Sequence, residues 1–82
     1  MKLSVELSMY PLTQSFKPPI LEFIHSLEGL DGIAVKRNTM STQIFGEYGL
    51  VMDVLKDKIE KAMQTDPSVV MVMKMVNSDL EN

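Results

Sequence analysis

Three short stretches hold the residues best suited to chemistry. Glu6, Ser8 and Tyr10 alternate near the N-terminus, Met40, Ser41 and Thr42 fall together in the middle, and Met71, Met73 and Met75 alternate near the C-terminus. A carboxylate, hydroxyls and a phenol can meet the hydrogen-bonding edge of a small flat ligand, while Tyr10, Met40 or Phe45 can cover its faces. General acid–base work is poorly supplied. Apart from carboxylates the possible base is His25, with no Ser-His-Asp set and no glycine-rich phosphate loop. Three alternating thioethers are soft enough for copper(I), but they are equally the adaptable apolar cover of a core or a subunit contact, and the second reading is preferred. His25 has no second histidine and no cysteine to share a metal with, and the absence of cysteine excludes disulfides and thiolate sites. Binding, with neither metal nor cofactor, is the class these residues favour.

The elements that must position them follow from periodicity. From Lys2 to Tyr10 apolar and polar residues alternate, with Leu3, Val5, Leu7 and Met9 on one face and Ser4, Glu6, Ser8 and Tyr10 on the other, which predicts a half-buried strand. Pro11 ends it, and Thr13 to Lys17 reads as a loop. Pro18 and Pro19 suit the first turn of a helix whose buried stripe is Ile20, Phe23, Ile24 and Leu27, with Gly29 as the stop. Ile33 to Met40 and Thr42 to Gly46 read as a hairpin. Arg37 shares the parity of Ile33 and Val35, which requires either a bulge or a solvated strand edge. A second helix from Tyr48 to Gln64 turns Val51, Leu55, Ile59 and Ala62 inward, and Asp66 and Pro67 end it. Val69 to Val76 is the last strand, apolar on both faces except for Lys74, and a frayed polar tail is expected after Asn77.

This βαββαβ order is the ferredoxin-like α+β pattern: a four-stranded antiparallel sheet with two helices on one face, a single domain over residues 1–78 and a tail over 79–82. The topology brings Ser8 to Leu12, the hairpin Thr39 to Thr42 and the start of the first helix to one end of the sheet. Many functions share such a fold, so residues must separate them. An acylphosphatase needs an arginine after the first strand, and Pro11 to Lys17 has none. An RNA-recognition module needs stacking aromatics where Ser4, Glu6 and Ser8 stand. A soft-metal carrier needs a cysteine pair.

Eighty-two residues with a net charge of −3 and an isoelectric point near 4.9 make a poor footprint for nucleic acid. No apolar run reaches the ~18 residues of a membrane span, and the first residues do not read as a secretory signal, so a cytoplasmic domain is expected. A core of this size supplies only ~3–5 kcal/mol without staples, which leads us to expect a homo-oligomer, dimer or tetramer. Its contact would be the open sheet face, where Met71, Met73 and Met75 are expected to lie.

At the converging end the sequence becomes more specific. Ser8-Met9-Tyr10-Pro11-Leu12, Lys17-Pro18-Pro19-Ile20 and Met40-Ser41-Thr42-Gln43-Ile44-Phe45-Gly46-Glu47, in that order, resemble the thiamine-binding, YkoF-like family across nearly the whole chain. The resemblance implies a non-catalytic binder of thiamine or its hydroxymethylpyrimidine moiety, built as a homo-oligomer, with Ser8, Tyr10, Met40, Ser41 and Thr42 in the neighbourhood of the site. Glu6, on the polar face of the first strand, is a candidate partner for a ligand amine, and Glu6 or Glu47 would not oppose a cationic thiazolium. Turn chemistry alone would select several of the same types: Ser41 and Thr42 to shape the hairpin, Tyr10-Pro11 to end a strand, Gly46 to permit the turn into the second helix. The competing function is an interaction module that uses the methionine-rich face and takes no small ligand.

Overall fold

The alternation of the first strand is realised directly. In the computed structural model, which describes residues 1–12, 17–65 and 68–81, β1 spans Lys2–Pro11 and buries Leu3, Val5 and Leu7 to 2–3% exposure. Helix α1 (Lys17–Leu27) and helix α2 (Tyr48–Thr65) lie on that face, and Phe23, Leu27, Val51 and Leu55 close over the strand residues together with Ile44 from β3 (Thr42–Glu47). Strands β2 (Ala34–Arg37) and β4 (Val69–Val76) complete an antiparallel sheet of order β2-β3-β1-β4. The predicted ferredoxin-like α+β class therefore holds. Gly29 follows α1 at φ +79°, the left-handed conformation that lets a helix stop with little strain.

Several expectations change once the strands are paired. Strand β2 is shorter than Ile33 to Met40, and its pairing with β3 is continuous from Ala34↔Phe45 to Arg37↔Thr42, so Arg37 is explained by a solvated edge and not by a bulge. Gly46 is no turn residue. It lies inside β3 opposite Leu3, and a Cβ there would stand 2.6 Å from the Gly32 carbonyl oxygen, so glycine is required for close backbone approach. Of the expected loop over Thr13 to Lys17, Lys17 instead opens α1, and the rest, like the helix stop at Asp66 and Pro67, lies outside the described residues.

The methionine face needs the largest correction. Residues paired across an antiparallel ladder point to the same side, and Val5↔Met75, Leu7↔Met73 and Met9↔Met71 put all three methionines on the helix side of the sheet. Met71 packs against the core, whereas Met73 and Met75 remain 39% and 43% exposed because the buried cluster is drawn from β1, β3 and the helices and does not extend over the outer strand. The open face of β4 instead presents Val70, Val72, Lys74 and Val76, opposite Tyr10, Ser8, Glu6 and Ser4.

Nor is the end of the chain frayed as far as it is described. The Ser4 hydroxyl donates to the Ser78 carbonyl at 2.6 Å and accepts from the Leu80 N–H at 2.9 Å, and the Lys36 ammonium donates to the Glu81 carbonyl. Residues 78–81 thus run over the open face from β1 towards β2. Phe45, which points to that face, is only 5% exposed, with the Lys36 ammonium 5.7 Å from its ring centre. The chain's own tail thus covers the part of the open face around Ser4 and Phe45.

Candidate functional site

The two motifs that stood out in the sequence meet at the end of the sheet. Asn38, the first residue after β2, sets the hairpin: its side-chain oxygen accepts from the Met40 and Ser41 N–H groups at 2.7 and 2.8 Å, while its own N–H donates to the Ser41 carbonyl at 3.0 Å. Such a ring of bonds from one asparagine fixes a tight loop without help from the rest of the fold. The loop then reaches across β1. The Ser8 hydroxyl donates to the Met40 carbonyl at 3.3 Å, and the Ser41 hydroxyl donates to Glu6 at 3.1 Å.

Glu6 is the electrostatic centre of this end. The Lys74 ammonium stands 2.9 Å from its other carboxylate oxygen, across the β1·β4 ladder. Lys74's hydrogen bond, then that of Ser41, hold the Glu6 carboxyl below the usual carboxylate range, and the same bond to Glu6 raises Lys74 above the usual lysine range. Glu6 is consequently ionised and already paired at neutral pH. A ligand amine would have to displace Lys74 to use it.

Thr42 is placed differently from its neighbours. Paired with Leu7, it points to the helix side, is 6% exposed, and its hydroxyl has no hydrogen-bond partner among the described residues. It lines a cavity of about 80 Å³ between the hairpin and α1, with Leu7, Met9, Ile20, Phe23 and Ile24 as the apolar wall and Asn38, Met40 and Ser41 at the rim. Buried hydroxyls are nearly always satisfied, so an unpaired one in an apolar slot marks a position suited to a polar visitor. The slot is smaller than the roughly 150 Å³ that accepts a benzene ring, and Met40, 83% exposed, stands at its mouth.

The six candidate residues therefore do not line one pocket. Glu6, Ser8, Met40 and Ser41 are joined by hydrogen bonds, Met40, Ser41 and Thr42 border the slot on the helix side, and Tyr10 stands 52% exposed on the open face opposite Val70. Glu47 lies at the far end of the sheet, where it accepts from the N-terminal ammonium at 3.0 Å, so it is not beside the site. Phe45 is under the tail. A second depression of about 260 Å³ on the open face is bordered by Glu6, Gln43, Lys74, Val76 and Leu80. Asn38, Gln43 and Lys74 were not singled out for the site from sequence. The one visible signal was Lys74, the sole charge in an otherwise apolar strand. Among the described residues no group of acidic or histidine side chains could hold a metal ion, and no described helix is long and apolar enough to cross a membrane.

No family model matches the chain, and neither does any curated protein. Solved structures do. A Streptococcus pneumoniae protein superposes with a TM-score of 0.86 at 25% identity, covering 100% of this chain and 92% of that one. A Thermotoga maritima protein with a suggested role in thiamine biosynthesis or salvage gives 0.82 at 18% identity, over 95% and 85% of the two chains. A domain of unknown function, DUF77, from Bacillus cereus gives 0.70 at 15% identity over 98% and 79%. The fold's neighbours are thus DUF77/YkoF-like proteins, and the resemblance read from the strand-one and hairpin motifs is borne out among them.

Proposed function

We propose that this chain is a non-catalytic binding protein for thiamine or its hydroxymethylpyrimidine moiety, holding the pyrimidine in the slot between α1 and the β2–β3 hairpin. The observation that carries the reading is the buried Thr42 hydroxyl, without a hydrogen-bond partner among the described residues, in an apolar slot at the junction of the two motifs. A pyrimidine is flat, apolar on both faces and polar along its edge, so one hydroxyl flanked by Leu7, Phe23 and Ile24 suits it. The rest of the ligand would extend past Met40 towards the rim formed by Asn38 and Ser41, and a cationic ring that reached on to Glu6 would have to displace Lys74. The neighbour with a suggested thiamine role supports the ligand class. Nothing in the site offers a paired acid and base, which favours storage or delivery over turnover.

Thermal melting with millimolar thiamine, thiamine phosphates and hydroxymethylpyrimidine tests it. A ligand at a hundredfold excess over Kd stabilises the native state by about 2.7 kcal/mol, a readily measured upward shift. Thr42→Val, similar in size but without the hydroxyl, is expected to keep the fold and lose most of the shift. If no compound in the series shifts the wild-type melt, the reading fails.

A further inference from the structure

Strand register lays two rows of side chains across the open face, one polar and one apolar. Glu6 pairs with Gln43 on one side and Lys74 on the other, so these three make the polar row. Two residues back along β1, Ser4 stands between Phe45 and Val76 in the neighbouring row, about 7 Å away at the usual strand rise. The tail turns this second row into a chamber. The Ser4 hydroxyl is used up by the Ser78 carbonyl and the Leu80 N–H, and Leu80, Phe45, Val76 and the polar row border the depression of about 260 Å³. Three strands and the tail therefore contribute walls, and a charged pair stands at one end of an otherwise apolar lining.

We infer that this depression binds a free α-amino acid with an apolar side chain, its carboxylate on Lys74, its ammonium on Glu6 and its side chain between Phe45, Val76 and Leu80. The ion pair selects this chemistry. Lys74 and Glu6 stand 2.9 Å apart, with side chains 75% and 34% exposed. An exposed pair of this kind contributes little, so Lys74 can swing aside at small cost. A ligand with one charge captures one member of the pair and leaves the other without its partner. An α-amino acid carries both charges on one carbon and gives each member a new partner. With that exchange near balance, the apolar area removed from water in the chamber decides affinity. Side chains the size of leucine, methionine or phenylalanine enter the neighbouring row, and glycine has nothing to place there. The depression lies on the opposite side of the sheet from Thr42, so the inference does not rest on the pyrimidine reading.

Titration of the chain at neutral pH, followed by backbone amide NMR, tests it with L-leucine, L-methionine and L-phenylalanine. At least one is expected to bind with a Kd of about 1 mM or below, shifting the Glu6, Gln43 and Lys74 amides, with glycine and the N-acetyl and amide derivatives at least tenfold weaker. Lys74→Met is expected to weaken binding at least tenfold, and Lys74→Arg to retain it. Tyr10→Ala, on the same face but outside the depression, leaves it unchanged. Thr42→Val, which is expected to lose the pyrimidine response, also leaves amino-acid binding unchanged, so the two sites fail separately. No binding of any of the three at about 10 mM, equal binding of the single-charge derivatives, wild-type binding by Lys74→Met, or loss of binding in Thr42→Val overturns the inference.

Discussion

The two faces of β1 are made of neighbouring residues and behave as different materials. Leu3, Val5 and Leu7 are sealed under two helices at 2–3% exposure, whereas Glu6 and Ser8 between and beyond them stay within reach of solvent and are held by hydrogen bonds to the hairpin and to Lys74. The first face is held by removal of apolar area from water, a non-directional effect that tolerates no missing volume. The second is held by a few directional contacts in high dielectric, each worth little to stability but fixing where the hairpin stands. Neighbouring residues a single step apart along the strand are thus held by different forces. Ser4 is the exception: it belongs to the open face yet is 6% exposed, because the tail covers it.

Breaking the covered face should cost most. Leu27→Ala, at a residue with no exposure, is expected to lose about 2–5 kcal/mol by urea unfolding, while Val72→Ala on the open face of β4 stays within about 0.5 kcal/mol. Equal losses would remove the contrast. Gly46→Ala comes next: its new methyl meets the Gly32 carbonyl and Val51, neither able to swing away, and about 1–3 kcal/mol of overpacking cost is expected in the same assay. Ser4→Ala sharpens the exception by removing both tail contacts. A loss near 1 kcal/mol is expected, with faster hydrogen exchange at the Leu80 amide than in the wild-type chain.

The smallest effect is the pH dependence. Glu6 and Glu47 have folded values below the usual carboxylate range, so their contribution is complete above that range and is lost as pH falls through the lowered values. Lys74 has a raised folded value, so its contribution is complete below the usual lysine range and is lost as pH rises through the raised value. A plateau across neutral pH with gentle falls at both ends follows. Glu6→Gln should shrink the alkaline fall and part of the acid one, leaving the Glu47 share. An unchanged profile in chemical denaturation would show that the Lys74 pair contributes nothing in solution.

How far the sequence could be read depended on whether its polar and apolar residues alternated. In β1 they do, and the burial of alternate residues followed directly. In β4 both parities are apolar, so the sequence offered no way to choose a face, and the methionines were assigned to the wrong one. The extent of β2 was overestimated because nothing in Asn38 to Met40 shows that the asparagine side chain takes over the backbone donors that a longer strand would have paired. The candidate site was legible as two motifs at one end of a sheet. That Thr42 turns away from Glu6, Ser8 and Tyr10 was not.

By itself the sequence determined the order of elements, the covered face of β1 and the junction of the strand-one and hairpin motifs, because period-2 and period-3.6 burial patterns are local properties of the chain. Tertiary structure alone decided the side on which Met71, Met73 and Met75 lie, the pairing of Lys74 with Glu6, the seat of the tail on Ser4 and the burial of Thr42 on the helix side. Each of these depends on strand register. Register is set between segments far apart in sequence, and a one-residue slip would turn every side chain of a strand to the opposite face.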